Sequence, residues 1–158
     1  MFFKSIAFAA LTAAVTALPA MAANITVDDA YARSSAMSAK TGAAFMMIHN
    51  TGDTDDRLIG AASPAAKLVQ LHTHKQDENG VMKMMHVEDG FAVPADGMIK
   101  MQRGGNHVMF MGITAPFEQD NMIPLTLTFE KAGDIEINVP VDLDRQPMHD
   151  GDHGQMSH

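Results

Sequence analysis

The sequence contains no cysteine and no tryptophan, and tyrosine occurs only once. Without cysteine the chain forms no disulfide, no thiolate metal site and no cysteine nucleophile, so thiol redox chemistry is excluded. Basic residues are also few, because 11 Lys and Arg stand against 19 Asp and Glu, with a formal net charge of −8. This balance argues against nucleic-acid binding, which depends on basic side chains at phosphates, and against stable association with anionic membranes.

Methionine is the abundant residue, with 15 copies, many of them close to one of the 8 histidines. Apolar residues make up 46% of the 158 residues, which is enough to build the core of one domain. The combination of methionine and histidine in a cysteine-free chain is the main indication of function.

Residues 1–22 have the layout of a secretory signal peptide. Lys4 precedes an apolar run that ends at Leu18, and the small residues Ala20 and Ala22 follow. The run is shorter than the roughly 20 apolar residues that a membrane span needs. We therefore expect cleavage after Ala22 and export, and a short alanine-rich signal is typical of a bacterial periplasm.

After the signal peptide, short apolar runs alternate with turn residues and no strong helical period is present. Short strands at regular spacing predict a single all-β antiparallel domain over residues 23–145, either a sandwich or a barrel. Asn79-Gly80 is a hairpin signal between two of the strands. The predicted strands are Ile25–Ala32, Gly42–His49, Leu58–Ala61, Leu68–His74, Val81–Val87, Met98–Met101, His107–Ile113, Ile123–Phe129 and Asp134–Val141.

Strand parity brings several histidines and methionines onto shared faces, since side chains at i and i+2 point the same way. The shared faces join His72 with His74, Met82 with Met84 and His86, and His107 with Met109 and Met111. A hairpin through Asn79-Gly80 brings the His72 region beside the Met84 region. A third strand or its entry loop can then supply His107 and Met109.

Imidazole and thioether together form a selective set of metal ligands. A thioether sulfur is soft and uncharged, suits Cu(I), and is a poor ligand for zinc, calcium or magnesium. A site of two histidines and two methionines therefore favours Cu(I) over Cu(II). Most methionines on strands fill cores and most lone histidines are structural or solvated. We assign those ordinary roles to His49, His86, Met46, Met47, Met98, Met101 and Met122.

The stretch HTHKQDENGVMKMMHVEDGFAVPADGMIKMQRGGNHVMFMG, residues 72–112, resembles the periplasmic copper chaperones of the PCuAC family. Its specific parts are GVMKM, VPADG and GGNHVMFMG, and the upstream residues 43–66 are similar as well. The resemblance implies a cupredoxin-like Greek-key sandwich with an exposed Cu(I) site. It also implies delivery of copper to the copper-bearing subunit of cytochrome c oxidase or to another copper-assembly protein.

The family carries a His, a Met about ten residues on, and a His-x-Met twenty-odd residues further, and His107 and Met109 match the His-x-Met. Local sequence context assigns the first two positions to His72 and Met84, whereas the spacing alone selects His74 and Met85. Parity favours Met84, because it shares a face with Met82. The prediction is therefore His72 and Met84, with His74 and Met85 as alternates.

The tail, residues 146–158, reads QPMHDGDHGQMSH and lacks an apolar period. Histidine beside aspartate in such a segment suits Cu(II), so we predict a second site there. One hypothesis is that the tail captures Cu(II) and that the reduced Cu(I) then binds to the His/Met site. The alternatives are a solvated tail that adds solubility and an expression remnant. The candidate tail ligands are Met148, His149, His153, Met156 and His158.

These patterns favour a non-enzymatic copper chaperone. No Ser-His-Asp pattern, glycine-rich phosphate loop or catalytic carboxylate pair stands out in the sequence. The alternatives are a periplasmic metal buffer, a zinc or nickel carrier that uses histidines alone, a small copper oxidase or reductase, and a purely structural sandwich.

Overall fold

The computed structural model describes residues 24–146, and the predictions for the signal peptide and the tail lie outside this range. All ten of its regular elements are β-strands, and the range contains no helix long and apolar enough to cross a membrane. Nine strands overlap the predicted ones, and β8 has the predicted bounds, whereas β6, three residues long, is not predicted. The strands are β1 (Ile25–Ser34), β2 (Thr41–Asn50), β3 (Asp56–Ala62), β4 (Ala66–Gln76), β5 (Met82–His86), β6 (Phe91–Val93), β7 (Gly97–Met101), β8 (His107–Ile113), β9 (Met122–Phe129) and β10 (Gly133–Pro140).

The strands form two sheets. The first sheet has the order β1-β2-β8-β4-β5, with β7 also paired to β2, and the second has the order β10-β9-β3-β6. Every pairing between named strands is antiparallel. Strands distant in sequence lie side by side at β2–β8, β8–β4 and β3–β9, as Greek-key connections require. The predicted all-β antiparallel sandwich is confirmed.

The core lies between the sheets and follows the strand period of two. Strand β9 buries alternate side chains, and β8 buries Val108 and Phe110 on its inner face. The Phe110 ring meets the Phe117 ring edge-on, with centroids 5.5 Å apart. Because Val108 and Phe110 face the core, Met109 and its neighbours at i±2 face the outer side of the first sheet.

Strands β4 and β5 form a hairpin at the edge of that sheet. The loop between them is closed by Asp77, whose N–H donates to Val81 O at 2.8 Å. The carboxylate Oδ1 of Asp77 accepts the N–H groups of Asn79 at 2.9 Å and Val81 at 3.0 Å. Gly80 has a φ of 80°, a conformation that favours glycine. This closure sets the register in which His74 pairs with Met84.

Candidate metal centre

The outer face of the first sheet collects the predicted ligands from three neighbouring strands. Strand β8 lies between β2 and β4, and its His107 pairs in register with His72 of β4. On the other side of β4, His74 pairs with Met84 of the edge strand β5. Residues directly opposite each other share a face, and so do residues two apart. Met109 therefore lies on this face too.

An open cleft on this face is lined by His74, Met84, His107 and Met109. Phe45 of β2 lies beside them, with its ring centroid 6.1 Å from that of His107. The cleft thus combines two imidazoles and two thioethers on adjacent strands.

Two predicted residues lie outside this cleft. His72 is on the same face but one step along β4, where it lies next to His107 with ring centroids 5.9 Å apart. Met85 pairs with Thr73, so its side chain belongs to the opposite face of the hairpin from His74 and Met84. The structure therefore groups His74 and Met84 with the His-x-Met pair, and it leaves Met85 apart.

His107 is the most buried histidine of the cluster, with 2% of its surface exposed. Its Nδ1 lies 3.0 Å from Gly105 O, so the Nδ1–H donates to that carbonyl and the Nε2 keeps a lone pair. Burial lowers the pKa of His107, and the nearby His74 adds to the effect. At neutral pH the side chain is therefore a neutral imidazole with Nε2 available as a ligand.

His72 is held in the same way by a side chain. Its Nε2 lies 3.1 Å from Gln70 Oε1, which leaves Nδ1 with the lone pair. Burial is the main cause that lowers the pKa of His72, and the neighbouring His107, His86 and His74 lower it further. Hydrogen bonds of this kind fix the tautomer and the ring orientation of metal-binding histidines.

Three buried imidazole nitrogens have no hydrogen-bond partner in the described part of the chain. They are His72 Nδ1, His74 Nδ1 and His107 Nε2. Buried polar atoms are nearly always paired, and an unpaired one costs about 1–3 kcal/mol. A cation bound to such a nitrogen offsets that cost, so these imidazoles have the chemistry of metal ligands.

The spacing of the rings is compatible with shared ions for pairs of histidines. The ring centroids of His74 and His107 are 5.3 Å apart, and those of His72 and His86 are 5.7 Å apart. Within residues 24–146, no group of three or more His, Asp or Glu side chains is arranged to hold one metal ion.

The thioethers differ in their access to solvent. Met84 is 46% exposed on the edge strand, whereas Met109 is half-buried on the central strand β8. Both Met84 and the neighbouring Met82 are therefore reachable from outside. An incoming ligand can approach the cleft from the β5 side.

The other histidines and methionines of the described residues do not line the cleft. His49 Nε2 lies 3.3 Å from Asp28 Oδ2, and the His86 side chain is exposed. Met46 and Met101 are buried in the core, and Met98 and Met122 are exposed.

Sequence reasoning missed some residues around the cleft. Gln70, two positions before His72, could have been found from strand parity as a partner on the same face. Arg33 of β1 and Arg103 of the turn before β8 also line the cleft. Their positions depend on tertiary packing, for which the sequence offers no local signal.

Comparisons with known sequences identify related proteins. The LpqE-like family, described as "Putative lipoprotein LpqE-like", matches residues 25–141. The protein "Putative lipoprotein Lxx21020" of Leifsonia xyli subsp. xyli (strain CTCB07) is 37% identical over 99 residues, which are 63% of this chain and 59% of that relative. The aligned part is thus less than two thirds of that relative's own length.

Solved structures share the fold. The copper-bound PCuAC domain from PmoF2 has a TM-score of 0.62 and 26% identity, over 76% of this chain and 93% of that domain. The apo and CuI forms of DR1885 from Deinococcus radiodurans have TM-scores of 0.60 and 0.58 and identities of 27% and 28%. The apo match covers 91% of this chain and 96% of DR1885, and the CuI match covers 82% of each. The predicted resemblance to PCuAC domains and the cupredoxin-like fold are confirmed.

Proposed function

Because this chain belongs to the LpqE-like (PCuAC) family, we propose that it is a periplasmic copper chaperone that binds Cu(I) through histidine and methionine. The observation that carries the proposal is the cleft in which two imidazoles meet two thioethers. The names of two similar structures, a copper-bound PCuAC domain and CuI-DR1885, support copper as the cargo.

We take His74, Met84, His107 and Met109 as the Cu(I) ligands. The pairing of His74 with Met84 and their common cleft with His107 support this set over the one with His72. Two neutral imidazoles and two thioethers bind a soft monovalent ion without adding negative charge. Met85 is not part of the set, because it belongs to the other face of β5.

The site can hold an ion firmly and still release it. The His107 tautomer is fixed by Gly105 O, so the imidazole needs no rearrangement to bind. Met84 is exposed on the edge strand, so a ligand from an acceptor protein can reach the ion before Met84 leaves it. Stepwise ligand exchange of this kind moves Cu(I) without any change of oxidation state.

The acceptor in this proposal is the copper-bearing subunit of cytochrome c oxidase or another copper-assembly protein. The chain acts as a carrier and not as an enzyme, and it reaches the periplasm through a signal peptide at residues 1–22. The tail at 146–158 adds a Cu(II) site with the ligands Met148, His149, His153, Met156 and His158.

The deciding experiment is Cu(I) competition against a chromogenic chelator. We expect tight one-to-one binding at the cleft, weakened roughly 10–100-fold or more in His107→Ala and Met109→Leu, since losing a ligand costs at least as much as losing its supporting partner. Met111→Leu is the matched control, since Met111 is a half-buried methionine on the same strand and face outside the cleft. Removal of residues 146–158 should spare Cu(I) binding and reduce Cu(II) binding.

Two results would contradict the proposal, one in this assay and one in a transfer experiment with an apo acceptor domain. If Met84→Leu and Met109→Leu bound Cu(I) as tightly as the unmodified chain, the methionines would be structural. That result would favour a zinc or nickel carrier. Tight binding without transfer to an apo acceptor domain would make the protein a metal buffer.

A further inference from the structure

A second pair of imidazoles lies directly beside the cleft and is not used by the proposed ligand set. His72 of β4 and His86 of β5 are register partners, so their side chains emerge on the same face of the hairpin. They occupy the next outward-facing step after His74 and Met84. The pair therefore continues the row of ligands along the hairpin.

The distance between these two rings fits a shared ion. Imidazole nitrogens bind metals such as zinc at about 2.0–2.1 Å, which puts the centroids of two rings on one ion roughly 5–6 Å apart. The His72 and His86 centroids are 5.7 Å apart, close to the 5.3 Å between His74 and His107 in the cleft. His72 is also 5.9 Å from His107, so it lies between the two pairs.

His72 is prepared to act as a ligand. Its Nε2 is bound to Gln70, and its Nδ1 is buried and without a hydrogen-bond partner in the described residues. His86, by contrast, is exposed on the edge strand. One ligand of the pair is thus fixed by the sheet, and the other is accessible from solvent.

We propose that His72 and His86 form a bis-imidazole copper position next to the His/Met cleft, through which Cu(I) passes between the cleft and the β5 edge. This inference rests on the proposed function, since it assumes Cu(I) in the cleft. The ion exchanges one imidazole for another by way of His72 and stays Cu(I) throughout, so no electron donor or acceptor is needed. Imidazole is a borderline ligand that suits copper, and without a thioether this position binds more weakly than the cleft.

The test is an anaerobic titration of the full exported chain with Cu(I), followed by NMR of the assigned imidazole rings. The first equivalent should shift the His74 and His107 signals, and the second should shift His72 and His86. His86→Ala should leave the first step unchanged and weaken the binding of the second equivalent at His72 by about tenfold or more. It should also slow the release of Cu(I) to excess chelator several-fold. Histidines of the tail are observed separately, because each signal is assigned to its own residue.

His49→Ala is the matched control, because His49 is a partly exposed histidine on the same sheet that pairs with Asp28 outside the cluster. It should behave as the unmodified chain in both steps. Three results would each overturn the second position. They are a His86 ring that does not respond to copper, a normal release rate in His86→Ala, and shifts of all four rings with the first equivalent. If Met109→Leu bound the first equivalent of Cu(I) as tightly as the unmodified chain, the proposed function itself would be refuted. The two failures are therefore distinguishable.

Discussion

At the residue scale, His72 and His107 are oriented by the same local device. Each ring donates a proton to an oxygen two residues earlier in the chain, the Gln70 side chain in one case and the Gly105 carbonyl in the other. Gly104, with a φ of 81°, allows the turn before β8 that brings the Gly105 carbonyl to this position. The run Gly104-Gly105 therefore has a direct function, since it fixes which nitrogen of His107 faces the cleft.

The lowered pKa values of His72 and His107 make a prediction about acid sensitivity. Both groups have a folded-state pKa below the ordinary 6.5, mainly because burial disfavours the charged ring. Below pH 6.5 the unfolded chain takes up protons that the folded chain does not, so the free energy of unfolding should fall as the pH is lowered. The slope is at most about 1.4 kcal/mol per pH unit for each histidine.

The predicted loss of stability at low pH is checked by denaturant unfolding at pH 7.5, 6.5 and 5.5. The paired variant His72→Gln with His107→Gln should show a flatter dependence. Asp56, whose pKa is lowered because hydrogen bonds from backbone N–H groups outweigh the effect of burial, adds its own loss only below about pH 3.8. A stability that is constant between pH 7.5 and 5.5 would show that the two rings titrate normally.

At the scale of elements, the β4–β5 hairpin decides which methionine reaches the cleft. A two-residue turn at Asn79-Gly80 would pair His74 with Met85, whereas the observed loop over residues 77–81 pairs His74 with Met84. A shift of one residue turns every side chain of a strand to the other face. The register of this hairpin is therefore part of the candidate site.

The loop residue Asp77 provides a test of whether the hairpin register matters for the candidate site. Its carboxylate accepts two backbone N–H groups and pairs with Lys83 Nζ at 2.8 Å. Asp77→Ala should loosen the register and lower Cu(I) affinity several-fold, while thermal stability changes little because β5 is exposed along its whole length. Competition with a chelator and a melting curve measure the two effects. Glu78→Ala, an exposed acidic neighbour, is the control, and unchanged affinity in Asp77→Ala would separate the loop from the site.

The hairpin also shows how far the sequence predicts this protein. Alternation of apolar residues predicts β8 at its observed bounds, and the shared faces of His72 with His74 and of His107 with Met109 follow from parity alone. Parity does not decide between His72 and His74, because both side chains lie on one face and differ only in which residues of β5 and β8 lie opposite them. Those opposite residues depend on the loop length and on the pairing of β4 with β8, which are set by tertiary structure. Strand β6, with three residues, is too short to leave a periodic signal.

At the scale of the whole molecule, the cleft and the core are two sides of one sheet. Along β8, His107 and Met109 face the cleft, and Val108 and Phe110 face the second sheet. Packing of that inner face holds the strands, and through them the ligands, at fixed separations. Stability and metal binding therefore depend on alternating residues of one strand and should be separable by substitution.

Phe110→Ala and Met109→Leu make this separation measurable. Phe110 is fully buried against Phe117, so its truncation should lower the free energy of unfolding by about 3–5 kcal/mol, whereas Met109→Leu keeps its volume and should cost less than about 1.5 kcal/mol. Bound Cu(I) stabilises only the folded state, so the melting temperature of Phe110→Ala, or of the milder Phe110→Leu, should still rise when Cu(I) is added. That rise should be smaller in Met109→Leu despite its near-normal stability, because each tenfold loss of affinity removes about 1.4 kcal/mol of the stabilisation by bound ligand. If Met109→Leu retained the full rise, the cleft would not be the copper site; if Phe110→Leu lost it while folded, the two faces of β8 would not act independently.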